Sequence, residues 1–101
     1  MRVIAGQLRG RTVAVPPTGT RPTTDMVRGA IVNSLVSLDA VEGARVADLY
    51  AGSGAMGIEL LSRGAAHCTF VEKSPDAVRV ISGNLTKLGI ADRASAVSVP
   101  G

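Results

Sequence analysis

Apolar residues recur along this chain with two different periods, and the order in which the periods alternate predicts its elements. Val27, Ile31, Leu35 and Leu38 recur at helical spacing and predict one face of a helix over residues 24–38, opened by a Thr23/Thr24 cap after Pro22. The short apolar run 45–50 predicts a strand. A helix over 55–63 follows and ends at Gly64, a left-handed cap position, and 67–72 makes the next strand. Pro75 in an opening turn, then Val78, Ile81, Leu85 and Leu88 on one face with Gly89 just beyond, define a third helix, and 94–99 reads as a third strand. Strand, helix, strand, helix, strand is the order of a parallel sheet with right-handed crossovers, so the fold class is α/β. Parallel sheets are normally covered on both faces and flanked by further strands, so three strands predict a naked edge on strand 45–50.

The opening segment differs in kind. Val3, Ala5, Val13 and Val15 alternate with other residues on either side of Gln7-Leu8-Arg9-Gly10-Arg11, which predicts a β-hairpin with a basic tip. Pro16-Pro17-Thr18-Gly19-Thr20 reads as a short stiff linker, so the chain divides into an arm and linker over 1–22 and a body over 23–101. Charge follows the same division. Residues 1–28 hold Arg2, Arg9, Arg11, Arg21 and Arg28 against Asp25, or +4; the remainder holds six basic and seven acidic groups, or −1, and the two sum to the net +3. A basic arm on a nearly neutral body is the footprint of phosphate-backbone binding, for which arginine supplies bidentate contacts. The alternative is a solvated terminus, since basic runs are often simply exposed.

Candidate chemistry concentrates between the first two strands. Gly52, Gly54 and Gly57 read G-x-G-x-x-G where strand 45–50 turns into a helix, the context that gives such a motif meaning. Two glycines let the backbone turn tightly and approach a ligand, and the third lets helix and strand pack closely. Glu72 lies twenty residues after Gly52, the interval at which a βαβ unit delivers a carboxylate to ribose hydroxyls. Asp48, at the tip of the strand, argues against a dinucleotide, because a pyrophosphate over the helix N-terminus would be repelled by a second negative charge. A carboxylate there suits a ligand with a cationic amino group and no phosphate, such as S-adenosylmethionine. The plainer reading of Asp48 is a residue capping the turn.

Composition narrows the remaining possibilities. With 101 residues, 46% hydrophobic and 2% aromatic, the chain is at most one small domain with a modest core. Cys68 is the single cysteine, so no disulfide framework exists and a reducing, cytoplasmic compartment is expected; Cys68 and His67 sit in an apolar strand where packing is the expected role, and no second ligand is spaced for a metal. No run approaches membrane-spanning length.

Taken together, Arg2-Val3-Ile4-Ala5-Gly6, Arg9-Gly10-Arg11, Arg21-Pro22-Thr23-Thr24-Asp25-Met26-Val27-Arg28, 48–59 (Asp-Leu-Tyr-Ala-Gly-Ser-Gly-Ala-Met-Gly-Ile-Glu) and Leu61-Ser62-Arg63-Gly64-Ala65 resemble the bacterial 16S ribosomal RNA guanine-N2 methyltransferases, the RsmD-like enzymes, over nearly the whole chain. The resemblance implies a class I (Rossmann-like) methyltransferase fold that takes S-adenosyl-L-methionine, preceded by the hairpin and first helix. It implies as substrate a guanine amine of 16S rRNA, free or in an assembling 30S subunit. By position it assigns Asp48, Tyr50, Ala51, Gly52, Ser53, Gly54, Glu72 and Lys73 to the cofactor, and Arg2, Arg9, Arg11, Arg21 and Arg28 to RNA or the mouth of the site. Two positions depart from the family pattern: Gly29 stands where Glu is usual, weakening the helix by up to ~1 kcal/mol relative to Ala, and Val32 stands where Phe is usual. A larger difference is that the family's fourth-strand motif, Asp/Asn-Pro-Pro-aromatic, does not occur in this sequence. No catalytic residue is therefore assigned, and the resemblance implies a partial sheet that a C-terminal half or self-association at the strand edge would complete. A nicotinamide-dependent oxidoreductase fragment and a non-catalytic RNA-binding module are the alternatives.

Overall fold

A computed structural model describes residues 1–15, 24–49 and 51–99. The linker 16–20, Arg21, Pro22, Thr23 and Tyr50 lie outside the described residues, and the expectations placed on them with it. The elements run α1 (Asp25–Ser37), β1 (Arg45–Leu49), α2 (Ala55–Ser62), β2 (His67–Glu72), α3 (Pro75–Leu88), a 3₁₀ turn (Ala91–Arg93) and β3 (Ala94–Ser98). All three strands are parallel in the order β1-β2-β3, with Val46 beside Cys68 and Cys68 beside Ala94.

Strands in sequential order joined by right-handed crossovers place both crossover helices on one face, and the packing shows which. A Cβ at Gly57 of α2 would lie 2.3 Å from Phe70 and 2.7 Å from the Cys68 sulfur, so this glycine is what allows helix and strand to approach. Ile81 of α3 packs above the same Phe70, and Ile58, Leu61, Leu85 and Leu88 complete a core in which Cys68 and Phe70 are fully buried. The opposite face of the sheet carries the row Leu49-Val71-Val97, in register, and leaves Leu49 64% exposed. Among the described residues β1 pairs with β2 alone, so the edge expected to be naked is unpaired here.

Two expectations require correction. The first is the face of α1. The helix and its Thr24 cap form as expected, with the Thr24 hydroxyl accepting from the Val27 N–H at 3.2 Å. Yet Val27, Ile31 and Leu38 point outward and Leu35 is only half-buried, while Arg28, Gly29 and Val32 are buried. The helix is turned by about one residue, or ~100°, because Arg28 is drawn to a buried carboxylate on α2. The second is the N-terminal hairpin, which reduces to a single antiparallel bridge between Arg2 and Thr12. Residues between coil through two turns (Arg9 N–H to Gly6 carbonyl, 3.2 Å; Arg11 N–H to Leu8 carbonyl, 3.0 Å), and their outward N–H groups find α2 side chains instead of a second strand. Val3, Leu8 and Val13 join the central core, so the described part of the arm is one body with residues 24–99.

Candidate cofactor and RNA sites

The glycine loop follows β1 at the carboxyl end of the sheet. Gly52 and Gly54 both have positive φ, 59° and 82°, a conformation open to glycine at little cost. Gly54 is also the N-cap of α2 and offers no side chain to cap it, leaving the orphan N–H groups of the first turn to other partners. Asp48 supplies one: its Oδ2 accepts the Gly57 N–H at 3.0 Å. A residue at the tip of a strand thereby caps the following helix from nine residues away, and the plainer reading of Asp48 as a cap is correct as far as this oxygen goes.

Glu72 closes the loop from the other side. Its Oε2 accepts the Gly52 N–H at 2.8 Å, and its Oε1 accepts the N–H groups of Lys73 and Ser74 at 3.0 and 3.3 Å, at the approach to α3. Ser74 in turn caps α3 through the Ala77 N–H. The twenty-residue spacing has therefore brought the acid directly onto the glycine turn. Backbone N–H donors, Gly52 foremost, hold the Glu72 carboxyl below the usual carboxylate range. Asp48 behaves in the opposite way: burial, with a smaller contribution from the negative charge of Glu72, raises it from 3.8 to about 6 despite the Gly57 hydrogen bond. Ser53 and the two loop glycines are buried, Ala51 is half-buried, and Lys73 is exposed at the rim. A Cβ on Gly54 would meet Ile81 and Phe70 at 3.2 and 3.3 Å. These features fit a nucleoside ligand held against bare backbone, with one carboxylate in good hydrogen-bonding order and a second without a cationic partner among the described residues.

Cys68 lies beneath this loop but is not part of its chemistry: burial pushes its thiol up to about 12, which leaves it an inert packing residue, as expected. Among the described residues there is no cluster of His, Cys, Asp or Glu that could hold a metal, and no helix long and apolar enough to cross a membrane.

The arginines separate into two groups. Arg2, Arg9 and Arg11 are exposed. Arg28 is not: it is 1% exposed, donates through Nη2 to the Arg2 carbonyl at 2.7 Å, and meets Asp25 at 3.2 Å and Glu59 at 3.6 Å as ion pairs. Its assignment to RNA is therefore corrected to a structural role. Glu59 is the residue that pattern reading missed. It is fully buried on α2 and takes the Ile4 and Ala5 N–H groups at 2.8 and 3.1 Å and Arg63 at 3.1 Å. A lone acid within the apolar helix 55–62 was the available signal. The tip of the arm is anchored at the far end of α2 from the glycine loop, where Gln7 and Leu8 bond to Ser62 in the helix's last turn.

Comparison with known proteins adds to this geometry. A family model described as conserved hypothetical protein 95 matches residues 1–99. The ribosomal RNA small subunit methyltransferase D of Escherichia coli strain K12 is 43% identical over 89 residues, covering 87% of this chain and 44% of that protein. YlbH of Bacillus subtilis is 45% identical over 95 residues, covering 93% of this chain and 50% of that protein. Among solved structures, the Escherichia coli chain YhhF superposes with a TM-score of 0.87 at 41% identity, over 99% of this chain and 53% of its own length. An S-adenosylmethionine-dependent methyltransferase of Thiobacillus denitrificans, in complex with S-adenosyl-L-homocysteine, shares the fold at 24% identity and a TM-score of 0.66, over 78% of this chain and 31% of its own. The class I methyltransferase fold is thereby established, and the chain spans about half the length of the curated relatives it matches.

Proposed function

We propose a function from one premise: this chain belongs to the family described as conserved hypothetical protein 95, that of small-subunit rRNA methyltransferase D. The described body is the cofactor half of an S-adenosylmethionine-dependent rRNA methyltransferase, and the target is the exocyclic N2 amine of a guanine in 16S rRNA. The observation that carries this reading is the glycine turn clasped between Glu72 and Asp48. Glu72 would receive the ribose hydroxyls, the backbone of residues 51–54 would line the methionine portion, and Asp48 would face the cationic amino group. A cation there relieves the desolvated negative charge that burial imposes on Asp48. Lys73, exposed beside Glu72, would border the same site; Tyr50 is assigned to the cofactor from the sequence alone. S-Adenosylmethionine supplies an electrophilic methyl group when bound. The protein's part is to hold it in line with a guanine amine, an effect of position rather than of covalent catalysis, and the base must leave its stack to be reached.

Arg2, Arg9 and Arg11, exposed on the arm, are the phosphate contacts in this reading, and Arg21, which lies outside the described residues, is assigned to RNA from the sequence alone. No residue of this chain is assigned to catalysis, since Asp/Asn-Pro-Pro-aromatic is absent from its sequence. We expect weak binding of S-adenosylhomocysteine and no methylation of undermodified 30S subunits by residues 1–101 alone. A thermal-shift titration tests the cofactor class: S-adenosylhomocysteine should raise the melting temperature and NAD should not, whereas stabilisation by NAD alone would replace this reading with an oxidoreductase. A radiolabelled-methyl assay tests the division of labour, and robust incorporation by 1–101 would show the missing motif to be dispensable.

A further inference from the structure

Asn84 sits in the middle of α3, 2% exposed, and its side-chain amide hydrogen-bonds two parts of the molecule at once. Its Nδ2 amide donates to the Ala14 carbonyl at 3.0 Å and to the Ser53 carbonyl at 3.2 Å, while Oδ1 accepts the Ala14 N–H at 2.9 Å. Ser53 is the middle of the glycine turn. Ala14 belongs to the return limb of the arm, which lies along α3: Arg11 donates to the Lys87 carbonyl at 3.2 Å and Lys87 donates to the Thr12 carbonyl at 3.2 Å. A side-chain amide has two donor hydrogens and one acceptor oxygen, so Asn84 is saturated as a donor, and moving either partner leaves a buried polar group unpaired.

We propose that Asn84 is a positioning residue that couples the basic arm to the glycine loop, so that RNA held on the arm and cofactor held on the loop strengthen each other's binding. Arg11 uses one of its five N–H donors on Lys87 and keeps others for a phosphate, so a bound RNA fixes the return limb where it already lies. Through Ala14 and Asn84 the same limb fixes the Ser53 carbonyl, and the loop is then ordered before the cofactor arrives. Linkage is reciprocal, so each ligand tightens the other by the same factor, of order fivefold or more. This inference rests on the cofactor reading above for the ligand at the loop, but the physical coupling between arm and loop does not.

The test uses the chain 1–101, wild type and Asn84→Asp, Asn84→Ser and Ser62→Ala, with amide hydrogen exchange, S-adenosylhomocysteine titration and a single-stranded RNA oligomer as phosphate probe. Asp keeps the acceptor for Ala14 but repels both carbonyls; Ser keeps a polar group that cannot span them, and serves if the aspartate variant does not fold. Ser62 holds the arm to α2 through Leu8 and Ala5 and makes no bond to the loop, so its variant reports on arm loosening alone. Expected are exchange faster by about tenfold at both 12–15 and 51–54 in the Asn84 variants, faster exchange near 5–9 only in Ser62→Ala, and an RNA-induced gain in cofactor affinity in wild type that the Asn84 variants lose. Unchanged exchange at 51–54 in an Asn84 variant whose arm has loosened would overturn the coupling, as would equal loosening of the loop by Ser62→Ala. If the chain takes no S-adenosylhomocysteine while the exchange pattern holds, the coupling stands and the cofactor reading falls.

Discussion

Glu59 and Asp48 are both carboxylates that accept backbone N–H groups at the edge of α2, yet the molecule treats their charges differently. Glu59 is wholly buried and flanked by Arg28 and Arg63, so its charge is matched within the fold and it ties the arm and α1 to α2. Asp48 has a single backbone donor in Gly57, no cation beside it among the described residues, and Glu72 as a like-charged neighbour, and its carboxyl is raised to about 6. Matched burial of charge is a structural device, whereas unmatched burial is a cost that persists where a ligand removes it. The contrast separates a carboxylate that holds the fold from one whose charge the fold leaves unmatched among the described residues, where the proposed reading puts the cofactor's cationic group.

The contrast can be broken most severely at Glu59. Glu59→Ala leaves Arg28 buried with only the exposed Asp25 as an ion-pair partner and two N–H groups of the arm unpaired, a loss of about 3–5 kcal/mol, enough to unfold so small a domain; urea denaturation measures it, and a loss below about 1 kcal/mol would mean that the network is ornamental. Glu72→Ala comes next. It removes the acceptor proposed for ribose and should weaken S-adenosylhomocysteine by about 1.5–3 kcal/mol in titration calorimetry, with equal affinities contradicting the assignment. The two loop carboxylates also respond to pH with opposite sign. Glu72, lowered in the fold, contributes stability above its ordinary value of 4.5 that is lost as pH falls through its folded value. Asp48, raised, contributes stability that is fully present below 3.8 and lost as pH rises through about 6. Asp48→Asn should therefore stabilise the free chain at pH 8 by about 2 kcal/mol, while keeping an acceptor for Gly57. The smallest effect belongs to the arm: Arg9→Ala with Arg11→Ala should reduce the slope of log K for RNA against log salt by about 0.7–0.9 per lost contact, and an unchanged slope would return the arm to a simply solvated segment.

The legible parts of this chain were those fixed by local backbone chemistry. Strand His67–Glu72, helix Pro75–Leu88 with Gly89 beyond it, and the glycine turn follow from caps, φ requirements and periodicity, and the structure reproduces them. The face of α1 was not legible, because the stripe 27-31-35-38 is as apolar as any buried one yet is exposed here except for the half-buried Leu35, while burial goes to 28-29-32 through the pairing of Arg28 with Glu59, fifty-five residues of sequence away from the arm N–H it also accepts. The hairpin forms only in part for a related reason: its limbs pair antiparallel at Arg2 and Thr12, with Val3 donating to the Arg11 carbonyl and Val13 to the Met1 carbonyl, but Leu8 turns into the core and the N–H groups of Ile4, Ala5 and Leu8 go to Glu59 and Ser62. Asn84 and Ser62 act only through contacts distant in sequence, and no local pattern marks them.

The central claim is that Asp48 holds an unmatched charge for a cationic cofactor, and calorimetric titration of S-adenosylmethionine across pH 5 to 8 tests it most directly. A cation favours the ionised carboxylate, so affinity should rise as pH increases through about 6, by up to tenfold per pH unit below that value, and the Asp48→Asn variant should bind more weakly with no such pH dependence. Equal affinity in the two proteins, with the same flat profile, would show that Asp48 caps α2 and does nothing more.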